Sequence, residues 1–307
     1  MGEIMQIEPA GCSKRLTPDE AEKDLRMKDN SGFWEEEKLD GARYLMHITP
    51  HLNRFTGRRI SVVTNLFVEK TGNVPHLSMK LCPGLKGTVL DGEVTYLGRM
   101  VNAVTSVMGS TPERAFQLQE EQGRLKYVLW DVLFYMGKDV RNWSQKTRRE
   151  ILDEIYANYF REDPNFHKVK IFHKAKFDLL KKIIEDGGEG TVLKDPFSAY
   201  GKGWIKIKKV KEDSVVIMDY TQGKGKYSDM IGAIRFGQYV GGELVEFGQC
   251  SGITDELRLE LTKKGKAYVG QVMDIKFQER FESGKFREPR FLRFRPDLSA
   301  RGIIYKQ

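Results

Sequence analysis

Glu37-Lys38-Leu39-Asp40-Gly41-Ala42-Arg43 is the stretch on which the reading of this chain turns; it runs straight into Tyr44-Leu45-Met46-His47-Ile48. The apolar, β-prone residues after Gly41 predict a strand over 42–48, so Lys38 sits on the turn that feeds it. A Lys-x-Asp-Gly tetrad is a small signal, since ordinary residue usage puts one in a chain this long about one time in twenty. Taken alone, Lys38 reads as a solvated turn lysine, and only the rest of the chain can decide otherwise.

The chain has 307 residues, enough for two ordinary domains with their own cores. Its 31% charged and 40% hydrophobic residues are the balance of a globular protein. No apolar run reaches about 18 residues, which excludes a spanning helix. The N-terminus, MGEIMQIEPAGCSKRL, carries acids and lacks an apolar centre, so it does not read as a secretory signal. Cys12, Cys82 and Cys250 are odd in number and far apart, which argues against a disulfide framework or a structural zinc site. Reduced thiols in a cytoplasmic protein are the expectation.

The net charge of +8 favours a polyanionic partner. Its distribution says more than its size. Residues 201–211 (GKGWIKIKKVK) hold five lysines and no acid. Residues 285–295 (KFREPRFLRFR) hold four arginines, one lysine and one acid. Both interleave aromatic and basic residues, as phosphate-tracking surfaces do.

Strand-like and helical runs mix through the first two thirds. Thr17-Pro18-Asp19-Glu20 and Thr111-Pro112-Glu113 are helix starts, and helical patterns fit 145–159 and 175–186. Strand patterns fit 42–48, 88–97, 126–134, 190–194 and 204–209. After Lys211 the texture changes to strands at 214–220, 231–238, 243–249 and 269–277, with one helix at 254–265. The expected fold is α+β in two domains. Residues 1–210 would form a first domain of antiparallel sheets and helices, and 211–307 an OB-fold β-barrel.

Further motifs stand in order along this frame. They are Asp91-Gly92-Glu93, Trp130-Asp131, Glu189-Gly190-Thr191-Val192-Leu193-Lys194, Trp204-Ile205-Lys206-Ile207-Lys208 and Arg290-Phe291-Leu292-Arg293-Phe294-Arg295-Pro296-Asp297. With Lys38 this set resembles the nucleotidyltransferase motifs of ATP-dependent DNA ligases across residues 33–297. The resemblance implies that Lys38 takes AMP from ATP, passes it to the 5′-phosphate of a nick, and that the 3′-hydroxyl then expels it. It implies an adenylation domain over 1–210. The substrates would be ATP and nicked duplex DNA, with Mg²⁺ or Mn²⁺ assisting. About 30 residues precede the catalytic motifs, which fits a minimal phage, viral or bacterial type acting as a monomer.

The chemistry constrains each position. A free lysine has a pKa of about 10.4, so roughly one amine in a thousand is neutral near pH 7.4. A neighbouring cation would expose the lone pair, and Arg43 or a bound metal is a candidate for that role. The resemblance assigns Asp40 to later chemistry at the nick. ATP brings about four negative charges, so cations that position and neutralise it matter most. Lys194, Lys206 and Lys208 supply them, with Lys206 and Lys208 on one strand face. By resemblance Glu36 also faces the nucleotide, and Glu93 and Glu189 face nucleotide and metal. Hard carboxylate oxygens suit Mg²⁺. Asp91 is the third candidate ligand and reads equally as a surface acid at a turn. Trp130 stands where an adenine-stacking phenylalanine is usual, or belongs to the core. Arg58 falls in Phe55-Thr56-Gly57-Arg58-Arg59, with Arg59 the alternative for the same role. Arg293 and Arg295 would face the pyrophosphate, although Leu298 replaces the motif's usual terminal lysine. An RNA ligase, a GTP-using capping enzyme and a non-catalytic nucleic-acid-binding protein are the rival readings.

Overall fold

The structure, a computed structural model, describes residues 4–97 and 101–305. Met1–Glu3, the start of the N-terminal segment read above, lie outside the described residues. The chain forms two compact units, divided between Lys208 and Lys209.

In chain order the strands of the first unit are β1 (Lys14–Leu16), β2 (Trp34–Glu37), β3 (Ala42–Ile48), β4 (Asn53–Ile60), β5 (Phe67–Glu69) and β6 (Val89–Thr95). They continue with β7 (Lys126–Tyr135), β8 (Lys138–Asp139), β9 (Phe166–Lys168), β10 (Ile171–Phe172), β11 (Gly190–Lys194) and β12 (Trp204–Lys208). The helices are α1 (Pro18–Glu22), α2 (Pro75–Ser78), α3 (Val101–Gly109), α4 (Pro112–Gln122), α5 (Gln145–Ile155) and α6 (Lys176–Glu185). Thr17 starts α1 through a reciprocal capping box with Glu20, and Pro18 supplies the pre-set first turn. The helical run expected to 159 leaves α geometry at Ile155 and continues as a π-helical turn over Tyr156–Phe160.

Among the described residues these strands make two sheets. One runs β1-β12-β11-β2-β10, and the other runs β5-β4-β3-β6-β7-β8 with β9 parallel to β7. One face of the larger sheet packs on α3, α4 and α5 through Phe55, Leu90, Tyr127, Leu129, Val104 and Leu152. A smaller cluster joins the sheets: Leu45, Val89 and Leu133 from one meet Trp204 from the other. Ile205, Ile207 and Leu193 turn the opposite way, onto Leu180 of α6. The alternation along β12 therefore leaves Lys206 and Lys208 on the face away from that cluster.

The sheets are also joined by buried charge. Arg148 of α5 forks onto Asp131 of β7 at 2.8 and 3.0 Å and reaches Gln145 at 2.7 Å. Gln145 in turn accepts from the Trp204 indole at 2.8 Å. Arg148 and Asp131 are both fully buried, so each needs the other. Glu35, also fully buried, is pushed up to about 7 by desolvation, against a hydroxyl bond from Thr191 and the Lys176 charge.

The second unit contains β13 (Lys211–Gln222), β14 (Ile231–Val240), β15 (Glu243–Cys250), helix α7 (Asp255–Lys264), β16 (Val272–Phe277), β17 (Glu279–Arg280), β18 (Phe286–Arg287) and β19 (Arg290–Phe294). The sheet order is β15-β14-β13-β16-β19. Register shifts near Ile217–Asp219 and Tyr220–Gln222 bend β13 so that it serves both neighbours. Thr254 caps α7, acids fill its first turn and lysines its last, in accord with the helix dipole. Val215, Ile217, Phe236, Met273 and Ile275 pack beside Leu261 of α7.

The overall class is α+β, with an OB-like second unit. It is not a closed barrel: among the described residues β15 and β19 share no ladder. A single parallel bridge, Ser251 to Arg290, joins those edges.

His47 lies buried on β3, its ring bonded to Thr56 at 2.8 Å. Burial and then the Arg54 charge lower it from 6.5 to about 4. The unfolded chain thus binds the extra proton between these values, and stability falls as pH drops from about 6.5 to about 4. His47→Gln is expected to remove up to about 3 kcal/mol of that pH-dependent loss. Urea unfolding at several pH values measures it, and an unchanged slope would count against the assignment.

Candidate functional site

Two glycines explain why the site forms where it does. A Cβ on Gly41 would stand 2.5 Å from the Val94 carbonyl, so the turn after Lys38 can press against β6 only without a side chain. Gly190 adopts φ +135°, and a Cβ there would fall 2.1 Å from the Ile207 carbonyl. The Lys38 amide donates to the Gly190 carbonyl at 2.9 Å. Thr95 donates to the Asp40 carbonyl at 3.2 Å. These contacts pin the Lys38 turn between the ends of β6 and β11.

At that junction the Lys38 ammonium pairs with Glu189. Lys208 reaches the other Glu189 oxygen at 3.2 Å. Burial would raise the Glu189 carboxyl, but the Lys38 and Lys208 charges and hydrogen bonds hold it below the usual range. Burial lowers Lys208, with Glu189 opposing. Glu93 faces the same group of charges. Burial pushes it up to about 8; Lys38 and Arg43 act against that, Glu189 and Asp91 with it. The structure thus brings together Lys38, Glu93, Glu189 and Lys208.

Arg43 is held by a network of its own. Its guanidinium donates to both Asp91 oxygens at 2.9 and 2.5 Å, to the Ala10 carbonyl at 2.6 Å and to the Tyr200 hydroxyl at 2.8 Å. Tyr200 also donates to Asp91 at 2.6 Å. Burial alone would lower Arg43; the Asp91 charge and hydrogen bonds reverse that and raise it. Arg43 is thereby fixed in place near the start of β3. The Trp130 ring lies 5.5 Å from the Arg43 guanidinium and is half-buried on β7.

The other candidates make contacts of their own. Glu36 and Lys194 pair with each other at 2.6 Å, both almost fully buried, and Arg149 stands 3.9 Å from Glu36. Both side chains are engaged inside the protein, so in this structure they form an internal pair, not an open face for a nucleotide. Arg58 is exposed on β4 and Lys206 is half-buried on β12. In the second unit Arg293 and Arg295 both grip Asp274, at 2.7 and 3.1 Å, and Arg295 also holds Asp297. Burial would raise Asp274, yet Ser214 and the two arginines keep it below the usual range.

Among the described residues no group of three or more His, Cys, Asp or Glu is set to hold an ion. Asp91 does not fit, because both its oxygens are taken by Arg43 and Tyr200. Both Glu189 oxygens are likewise held, by Lys38 and Lys208, so Glu189 could take a cation only once the Lys38 amine has left it. Glu93 is a buried acid whose desolvation its neighbours only partly offset, and hard oxygen donors suit Mg²⁺.

Tyr200, and Arg148 and Gln145 as the partners of Asp131, escaped the sequence reading. The sequence hint for Tyr200 was an aromatic just before Gly201-Lys202-Gly203. Nothing local marks Arg148 among the exposed charges of its helix.

A family model described as the ATP dependent DNA ligase domain matches residues 14–211, and one described as the DNA ligase OB-like domain matches 222–295. The multifunctional non-homologous end joining protein LigD of Pseudomonas aeruginosa is 30% identical over 217 residues, covering 68% of this chain and 24% of that protein. DNA ligase 2 of Methanosarcina acetivorans is 25% identical over 321 residues, covering 89% of this chain and 54% of that protein. The chain thus spans a quarter to a half of these relatives. A solved Lig E DNA ligase, described as binding DNA with a minimal scaffold, shares the fold with TM-score 0.66 at 19% identity, covering 94% of this chain and all of that one.

Asp91→Ala would leave the buried Arg43 charge unpaired and should cost about 3–5 kcal/mol of stability in metal-free buffer. Urea unfolding with EDTA present reads this directly. Wild-type stability in that variant would return Asp91 to the role of metal ligand.

Proposed function

The chain belongs to the ATP-dependent DNA ligase family, and from that premise we propose that it seals nicks with 5′-phosphate and 3′-hydroxyl ends in duplex DNA, through AMP carried on Lys38. The supporting observation is the cluster in which Glu189 is shared by Lys38 and Lys208 while Glu93 lies beside them. Residues 1–210 act as the adenylation domain and 211–307 as the OB-fold domain.

In the first step the Lys38 amine attacks the α-phosphorus of ATP. The N–P bond forms, the bond to the β-phosphate oxygen breaks, pyrophosphate leaves and the amine gives up a proton. The amine must leave Glu189 to do this, and Lys208 then remains as that carboxylate's partner. Lys206 and Lys208 supply positive charge toward the phosphates. Arg43, fixed by Asp91 and Tyr200, and the Trp130 face beside it border the nucleoside. Arg58 serves the nucleotide from β4, and Glu36 and Lys194 support it from their buried pair. Arg293 and Arg295 are assigned to the leaving pyrophosphate.

In the second step the 5′-phosphate of the nick displaces Lys38 from AMP. In the third the 3′-hydroxyl attacks that 5′-phosphorus and AMP leaves, with Asp40 positioned for this stage. A divalent cation, Mg²⁺ or Mn²⁺, held by Glu93 and Glu189 would neutralise phosphate charge. Among the described residues no helix is long and apolar enough to cross a membrane. The enzyme is proposed to act as a cytoplasmic monomer.

Incubation with α-³²P-ATP should label the protein, and labelled GTP should not. Lys38→Ala should abolish the label and the sealing of an unadenylated nick, and mass spectrometry should place AMP on Lys38. An adduct on another lysine would overturn the assignment. Because the grip on DNA is assigned to Lys and Arg, affinity for a nicked duplex should fall at least about tenfold between about 50 and about 200 mM salt. A flat dependence would exclude a phosphate-tracking surface.

A further inference from the structure

Between Phe55 and Val68 the sequence carries two arginines and no acid, and this stretch folds as the hairpin of β4 and β5. Ile60 pairs with Phe67 near its end. The turn beyond is built. The Ser61 amide donates to the Leu66 carbonyl at 2.8 Å, and the Asn65 amide to the Ser61 carbonyl at 2.9 Å. Asn65 takes the left-handed conformation, φ 53°. The Ser61 hydroxyl accepts from the Val63 and Thr64 amides at 3.3 Å each. This well-bonded tip presents Val62 and Val63 at 103% and 90% exposure, with Ile60 and Leu66 exposed below them. Scattered exposed apolar residues are ordinary; two adjacent valines on a tight turn, above exposed arginines, are a feature to explain.

The placement matters as much as the composition. β4 runs antiparallel to β3, pairing Leu45 with Thr56, so its final residues lie at the end where β3 begins. That end carries the Lys38–Gly41 turn. The Arg59 charge acts on the Tyr44 hydroxyl, which confirms that this part of β4 flanks the start of β3. The tip projects past this end by two or three residues, roughly 7–10 Å at the rise of an extended chain.

The geometry points to this hairpin as a DNA-engaging wedge: Arg59 meets a backbone phosphate, and Val62 and Val63 enter the minor groove beside the nick. It rests on the reading of the chain as a nick-sealing enzyme. Apolar side chains that enter the minor groove commonly do so between basic residues on the phosphates, and they open base steps there. A nick, having lost one backbone link, is the step that opens most readily. The charge of residues 55–68 is complementary to DNA and to no basic or neutral partner.

The test uses the full chain and a nicked duplex with 2-aminopurine at the base step next to the nick. Val62→Ser/Val63→Ser removes apolar surface at exposed positions and adds no charge. It should raise the Kd for the nicked duplex about tenfold or more. It should also abolish the rise in 2-aminopurine fluorescence on binding and leave the slope of log Kd against log salt unchanged. Self-adenylation with ATP alone should match the wild type. Arg59→Ala should instead reduce the salt slope by about one. If the double serine variant binds and seals naked nicked DNA like the wild type, the wedge is overturned, and a protein partner becomes the occupant of the tip. Loss of self-adenylation in that variant would also overturn it, by showing that the valines support the nucleotide site. Failure of the wild type to label with AMP or to seal would remove the functional reading itself, a result separate from either of these.

Discussion

Asp91 stands fully buried between the two sheets of the first unit, and its pairing with Arg43 is the contact on which the site depends. A guanidinium and a carboxylate out of water are tolerable only when each is matched in charge and geometry. Here the fork is bidentate, and Tyr200 and the Ala10 carbonyl take further N–H groups. Ala10 and Tyr200 come from the segments flanking the smaller sheet, while Arg43 and Asp91 are neighbours in the larger one. The pair therefore ties both sheets to the first residues of β3, five positions beyond Lys38. A second lock, Asp131 with Arg148, Gln145 and Trp204, repeats the principle from the next strand.

Much of this was legible before the structure. Periodicity located β3, β11 and α6, and the ordered motifs located Lys38, Glu93, Glu189 and Lys208. What was not legible has physical reasons. Trp34-Glu35-Glu36-Glu37 looks like a solvated acidic run, yet it is the strand β2, with Glu35 and Glu36 buried. Only tertiary partners, Thr191 and Lys194, make that possible. Arg43 was read, with a bound metal, as a candidate cation for the amine. Its pairing with Asp91 and Tyr200 is a tertiary choice that a pattern of spacings does not carry.

The second unit shows the same division. Most of its longer strands and its helix follow from alternation and from the Thr254 cap. Closure does not, because it depends on whether two sheet edges meet, and here they meet at one bridge. Arg293 and Arg295 illustrate how a motif can serve two ends. Both are engaged with Asp274 inside their own unit, yet Arg293 keeps 56% of its side-chain surface exposed. A residue that is half committed to the fold still has donors for an anionic ligand, so removing it tests two roles at once. First-step kinetics and unfolding must be measured together to separate them.

Glu189 between two lysines raises a further point about the proposed chemistry. One carboxylate cannot fully neutralise two ammonium groups, so the cluster of Lys38, Lys208 and Glu189 carries a net positive charge when all three are ionised. Glu93 would balance it if ionised, but burial holds its carboxyl at about 8. The burial that disfavours the charged form of Glu93 leaves that balance incomplete, so the group is weighted toward positive charge where the proposed reaction receives a polyphosphate. On this reading the buried acid is not a flaw that the basic residues fail to correct: an acid held back from ionising suits a site for an anionic nucleotide.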